Sequence, residues 1–175
     1  MQSTETIRVM LVDAHPLMRA GVRALLESRS RLRVIAESNN DNDTINLAVA
    51  EQPDVILLDV DDKGFGVVPE LAAAVQNSRL LALSRSYEFR TCLEAMQSSA
   101  HGVVWKKERP IMLVKAIRTV HSGESWFSRS MLARLLIEIQ QPKTETSPEA
   151  DKIKSLTDRE REVVALLGEG LRNKE

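Results

Sequence analysis

Four residues with chemically useful side chains stand at the ends of four apolar runs. Val9-Met10-Leu11-Val12 stops on Asp13, Val55-Ile56-Leu57-Leu58 on Asp59, Leu80-Leu81-Ala82-Leu83 on Ser84, and Val103-Val104-Trp105 on Lys106. Short continuous apolar runs separated by helical patterns read as buried parallel strands, and open α/β sheets bind ligands outside the carboxyl ends of their strands. Two carboxylates, a hydroxyl and an ammonium therefore converge on one rim. Carboxylates at strand ends are what magnesium-dependent phosphoryl chemistry requires.

The elements that must position these groups alternate along the chain. Pro16 to Glu27 places Leu17, Met18, Val22, Leu25 and Leu26 on one side, with Pro16 suited to a first helical turn. Arg31 to Ser38 alternates as a half-buried strand near an edge. The Asn39–Asp43 turn cluster is placed to cap a helix from Thr44 to Glu51. Helices follow near 67–76, 87–98 and 111–121, each between strand runs. Five strands and five helices in about 115 residues are the arithmetic of a doubly wound α/β fold with a five-stranded parallel sheet.

The pattern then changes. Ser128 to Ile139 reads as a further amphipathic helix, and residues 140–149 are polar with two prolines, a composition that cannot bury itself. After this linker, Thr157 and Glu160 form a capping box ahead of Val163, Val164, Leu166 and Leu167. Gly168 and Gly170 are placed to end that helix, and residues 171–175 read as the first turn of another. The expected division is 1–124 for the sheet domain, 125–153 for the linker helix and linker, and 154–175 for the start of a small helical domain.

Bulk properties exclude several classes. With 24 basic and 25 acidic residues the formal net charge is −1, so nucleic-acid binding has to rest on a local patch. One cysteine, Cys92, rules out an internal disulfide. No run approaches the roughly 18–20 apolar residues needed to cross a bilayer, and the polar opening lacks a signal-peptide core, so no membrane partner and a cytoplasmic location are expected.

Four segments in order carry a family resemblance: Leu11-Val12-Asp13-Ala14-His15-Pro16, Pro53 through Asp59, Ala116-Ile117-Arg118 through Gly123-Glu124-Ser125-Trp126, and Leu156 through Val163. Together they resemble a response regulator of the NarL/FixJ type: a flavodoxin-like receiver with strand order 2-1-3-4-5, a linker helix and a LuxR-type helix-turn-helix. The resemblance implies a two-component regulator of transcription, not an enzyme, that dimerises through receiver helices or the linker helix. It implies that Asp59 accepts phosphoryl from a histidine kinase. It further implies that Asp13, Asp59 and the backbone carbonyl of Asp61 hold Mg²⁺, and that Ser84 and Lys106 contact the phosphoryl oxygens. A carboxylate attacking an anionic phosphorus needs its repulsion cancelled, and a hard cation and a fixed ammonium do that.

The sequence departs from this family in ways that bear on function. Ala14 stands where the family carries a second acid, commonly the direct metal ligand, so at least a 10–100-fold loss of Mg²⁺ affinity is expected. Asp62-Lys63 replaces the usual Met-Pro, and Val103 replaces the aromatic that normally moves with the switch hydroxyl. The expectation is an atypical receiver, weakly phosphorylated or independent of phosphate. The alternatives are a fully phosphorylatable receiver in which Asp61 or Asp62 compensates for Ala14, and a Mg²⁺-dependent phosphohydrolase using Asp59. The later recognition helix of the helix-turn-helix is not among these residues, so specific DNA binding is expected only of a full-length form.

Single residues carry competing readings. Lys107 neighbours Lys106 and Ser86 neighbours Ser84, so the register of either group admits a slip. His15 is read as shaping the loop into the first helix rather than as a catalyst. His101 and His121 show no ligand spacing with Cys92 or each other. Trp105 and Trp126 are read as packing residues, and Arg159 and Arg161 as surface charges.

Overall fold

The computed structural model describes residues 6–41 and 43–140. The strands are β1 (Ile7–Val12), β2 (Leu32–Ser38), β3 (Val55–Asp59), β4 (Arg79–Ser84) and β5 (Gly102–Trp105). Between and after them run α1 (Pro16–Glu27), α2 (Thr44–Glu51), α3 (Val68–Ala74), α4 (Phe89–Gln97), α5 (Pro110–His121) and α6 (Arg129–Gln140). All strands pair in parallel in the order β2-β1-β3-β4-β5, the order the resemblance implies.

Each central strand is apolar at consecutive positions because both faces of the sheet are covered. The odd-numbered residues Val9, Leu11, Val55, Leu57, Leu81 and Leu83 join a core with Leu26 of α1 and with Leu113, Val114, Ile117 and Val120 of α5. The intervening Met10, Ile56, Leu58 and Leu80 are equally buried. Strand periodicity of two thus sends alternate residues into two cores from one apolar run.

Local chemistry sets several ends. Pro16 opens α1 and Pro110 opens α5, where a missing N–H costs nothing. The turn before α2 works differently from the expected cap. Asp43 holds the N-cap position without a side-chain bond, while the Asp41 carboxylate accepts from the Asp43 N–H at 3.2 Å. At the other end of α2, the Arg8 guanidinium donates to the carbonyls of Glu51 and Gln52 at 2.7 and 2.9 Å, satisfying acceptors the helix leaves free.

The compact unit that holds the sheet runs to Trp126, and a second unit begins at Phe127. Trp126 belongs to the first because it adds a bridge to the sheet edge: its N–H donates to His101 O at 2.9 Å and its carbonyl accepts from Val103 N–H at 3.2 Å. Gly102 makes this contact feasible, since a Cβ there would lie 2.6 Å from Trp126 Cβ and 2.7 Å from its carbonyl oxygen. In the second unit α6 starts with the Ser128 hydroxyl accepting from Met131 N–H at 3.2 Å. The linker and the helix-turn-helix segment, residues 141–175, lie outside the described residues. Among the described residues no helix is long and apolar enough to cross a membrane.

Candidate functional site

Sheet register brings the four expected groups to one edge. Val12 pairs with Leu58, so Asp13 emerges beside Asp59. Asp59 pairs with Leu83, and Ser84 pairs with Trp105, so Ser84 and Lys106 follow on the next steps of the rim. Asp13, Asp59 and Ser84 are all buried, at 4 %, 5 % and 3 % exposure. Carboxylates at that depth require partners.

Asp59 has them on both oxygens. Its Oδ2 lies 2.5 Å from Lys106 Nζ, and its Oδ1 accepts from the Asp61 N–H at 2.9 Å. The second lysine does not compete: Lys107 Nζ lies over the Trp105 ring, 5.6 Å from its centroid. Trp105 in turn donates its indole N–H to the carbonyl of Arg85 at 2.8 Å, tying the end of β5 to the loop after β4. Ser86 donates its N–H to Ser84 Oγ at 3.1 Å, while its own hydroxyl meets Thr91. Ser84 is therefore the hydroxyl that faces the carboxylates.

The Asp61 side chain supplies a contact that strand-end reasoning missed. Its Oδ1 accepts from Ser84 Oγ at 3.0 Å and from the Arg85 N–H at 2.8 Å. Its Oδ2 lies 3.1 Å from Arg85 Nε and 2.7 Å from Lys106 Nζ. Burial alone raises the Asp61 carboxyl, but the bonds from Lys106, Arg85 and Ser84 outweigh it and hold the group below the ordinary carboxylate range. Burial likewise works against the Lys106 ammonium, and its bonds to Asp59 and Asp61 overcome that and raise it. The signal available in the sequence was the acid two residues past Asp59, where a two-residue loop can fold a side chain back over its own strand end.

On the other flank, Asp13 Oδ1 accepts from the His15 N–H at 2.7 Å and lies 3.0 Å from His15 Nδ1. That ring nitrogen is 3.8 Å from Asp59 Oδ2, and Nε2 is 3.5 Å from Asp62 Oδ2. His15 thus shapes the loop, as its sequence context suggested, and also turns its ring toward both carboxylates. Arg19, unremarked in the sequence, fixes the same loop: it donates to Asp13 O at 2.5 Å and to Glu37 Oε2 at 2.9 Å. The other histidines are remote from this rim. His101 receives the Leu80 N–H at Nδ1.

Asp13, His15 and Asp59 each offer a ligand atom within 4.8 Å of one another. Among the described residues Asp13 Oδ2 is a buried oxygen with no hydrogen-bond partner. An orphaned, buried carboxylate oxygen next to a second carboxylate is a donor set suited to a hard divalent cation. Ala14 adds no ligand, and Asp61 directs its carboxylate to Ser84 and Lys106 instead of to this group. Asp62 stays half exposed against His15.

Comparison with known proteins places this geometry. Residues 9–118 match the response regulator receiver domain family. Over 98 % of its length the chain is 31 % identical to the nitrate/nitrite response regulator protein homolog of Haemophilus influenzae, of which it spans 80 %. It is 29 % identical to the nitrate/nitrite response regulator protein NarL of Escherichia coli K12, covering 99 % of this chain and 81 % of that protein. A two-component response regulator of the LuxR family from Aurantimonas sp. superposes with a TM-score of 0.69 at 27 % identity, over 78 % of this chain and all of that one. Receiver domains bind Mg²⁺ at an acidic site of this kind. The chain belongs to the response regulators, with a receiver domain of the NarL type used in two-component control of transcription.

Proposed function

We propose that this response regulator has an atypical receiver, weakly phosphorylated or independent of phosphate, in which Asp59 is the acceptor, Ser84 and Lys106 contact the phosphoryl group, and Mg²⁺ is held by Asp13, Asp59 and the Asp61 carbonyl. The observation that carries the reading is the pairing of Asp59 with Lys106 at 2.5 Å beside the orphaned Asp13 oxygen, with Ala14 where a second acid would stand. In the transfer, an Asp59 carboxylate oxygen forms a bond to phosphorus while the bond from phosphorus to the donor's nitrogen or oxygen breaks. The donor leaves with that electron pair. Lys106 offsets the negative charge that builds on the phosphoryl oxygens, and Ser84 donates to one of them. Mg²⁺, if held by Asp13, Asp59 and the Asp61 carbonyl, would supply further neutralisation of the negative charge.

The domain division that fits this role is a receiver over 1–124, a linker helix and linker over 125–153, and a helix-turn-helix beginning at 154. Its partners are a histidine kinase, a second copy of the chain, and DNA through a complete helix-turn-helix. The protein acts as a switch.

Acetyl phosphate with Mg²⁺ tests the reading. Slow, substoichiometric labelling that is cleaved by hydroxylamine or alkali and lost in Asp59→Asn is expected. Rapid stoichiometric labelling of the natural chain overturns the atypical reading, and label retained by Asp59→Asn overturns the acceptor assignment.

A further inference from the structure

We infer that the Asp61 carboxylate is a tethered anion that takes up the donors a phosphoryl group on Asp59 would need, so that the chain holds its switch groups in an anion-bound arrangement without phosphate. The inference deepens the proposed function and rests on Asp59 as the acceptor.

The case is geometric. Lys106 Nζ, the ammonium on Asp59, also lies 2.7 Å from the Asp61 carboxylate, which further accepts from Ser84 Oγ at 3.0 Å and from Arg85 N at 2.8 Å. Arg85 Nε closes the ring at 3.1 Å. The side chain of Asp61 is only 7 % exposed, so this is a desolvated, fully engaged carboxylate and not a surface acid brushing a lysine. A phosphoryl group on Asp59 brings close to two negative charges to the same place. The single Ser84 O–H and the single Arg85 N–H cannot point at that group and at the Asp61 carboxylate at once, and the Lys106 ammonium, already divided between two carboxylates, would have a third anionic group to serve. Phosphorylation therefore has to expel Asp61 into solvent and break charge-assisted bonds that are among the stronger kind. Conversely, while Asp61 stays in place, Ser84 and the Arg85 amide are drawn toward a buried anion, and the Trp105 bond to the Arg85 carbonyl carries that position to β5.

The test compares the natural chain with Asp61→Asn and Asp61→Ser, each also in an Ala14→Asp background that returns the second acid. Acetyl phosphate with Mg²⁺ is the probe, and circular dichroism checks folding. Removing the tethered charge is expected to raise the initial labelling rate tenfold or more in whichever background labels. Equal or slower labelling of both folded variants overturns the inference. A second readout uses the unmodified protein: amide hydrogen exchange at Arg85 is expected to be slowed at least tenfold relative to an unbonded loop amide and to speed up in Asp61→Asn. Free exchange of that amide in the natural chain overturns the inference, including when no chain takes label. Failure of the underlying reading has a separate signature. Label that persists when Asp59→Asn is added to Asp61→Asn means that Asp59 is not the acceptor, whatever the rate ratio.

Discussion

Asp59 and Lys106 meet at 2.5 Å although 47 residues separate them along the chain. Neither strand end finds the other directly, because β4 lies between β3 and β5. The pair closes across the tip of β4, which ends on Ser84. Lys106 then divides its ammonium between Asp59 and Asp61.

Lys106→Met should be strongly destabilising because it leaves two buried carboxylates facing each other. A loss of about 2–4 kcal/mol is expected, toward the lower part of the range for breaking buried pairs, since the lysine keeps some solvent contact. Adding Asp61→Asn should recover about 1–2 kcal/mol of that loss, the coupling expected of residues sharing one partner. Urea unfolding of the two single variants and the double variant measures the cycle. Strict additivity would contradict the shared-ammonium geometry.

Ala14→Asp should tighten Mg²⁺ binding by about 10–100-fold by returning an oxygen donor beside the orphaned Asp13 Oδ2. Calorimetric titration with Mg²⁺ reads this without any phosphoryl donor. Unchanged affinity would mean that Asp61 or Asp62 already makes good the missing acid.

His101 gives the sheet domain a pH-dependent stability. Burial and the neighbouring Arg79 push its imidazole down to about 4 from 6.5, and its Nδ1 accepts the Leu80 N–H, a bond that needs the unprotonated nitrogen. The folded chain therefore holds the ring neutral, while the unfolded chain takes up a proton as soon as pH falls below about 6.5. Stability from this residue is present above pH 6.5 and is lost as pH falls toward 4, at up to about 1.4 kcal/mol per pH unit. Unfolding curves from pH 7.5 to 4.5 should show that slope, and His101→Gln should flatten it.

Gly102→Ala should cost about 1–3 kcal/mol, because the new methyl would meet the Trp126 backbone and Cβ at distances that only a backbone shift relieves. The damage should centre on the bridge from β5 to Trp126. Thermal unfolding should report the loss, and hydrogen exchange should show the Val103 and Trp126 amides losing protection ahead of β1 and β3. An unchanged melting temperature would show that the edge bridge contributes nothing.

Much of this protein was legible in its residues. α1, α2 and β3 have the bounds the periodicity predicts, because proline, turn clusters and apolar runs act over a few residues. The remaining elements shift by one to two residues at their ends, where the last turn answers to packing. The strand-end positions of Asp13, Asp59, Ser84 and Lys106 were equally readable, since an apolar run that stops on a polar residue marks where a buried strand surfaces. The resemblance supplied the strand order and the roles. The capping-box helix expected from Thr157 onward falls outside the described residues.

Other features were decided only by the tertiary structure. Asp61 was expected to offer a backbone carbonyl, but where its carboxylate goes depends on Ser84, Arg85 and Lys106, which reach it from β4 and β5. His15 turns toward Asp13 and Asp59 because β1 and β3 are neighbours, and Trp126 closes the sheet edge because Gly102 lacks a side chain. Sequence determines what each short segment prefers, since those preferences come from a residue and its near neighbours. Which charges share a partner is settled by contacts between segments far apart in the chain, and only the folded sheet brings those together.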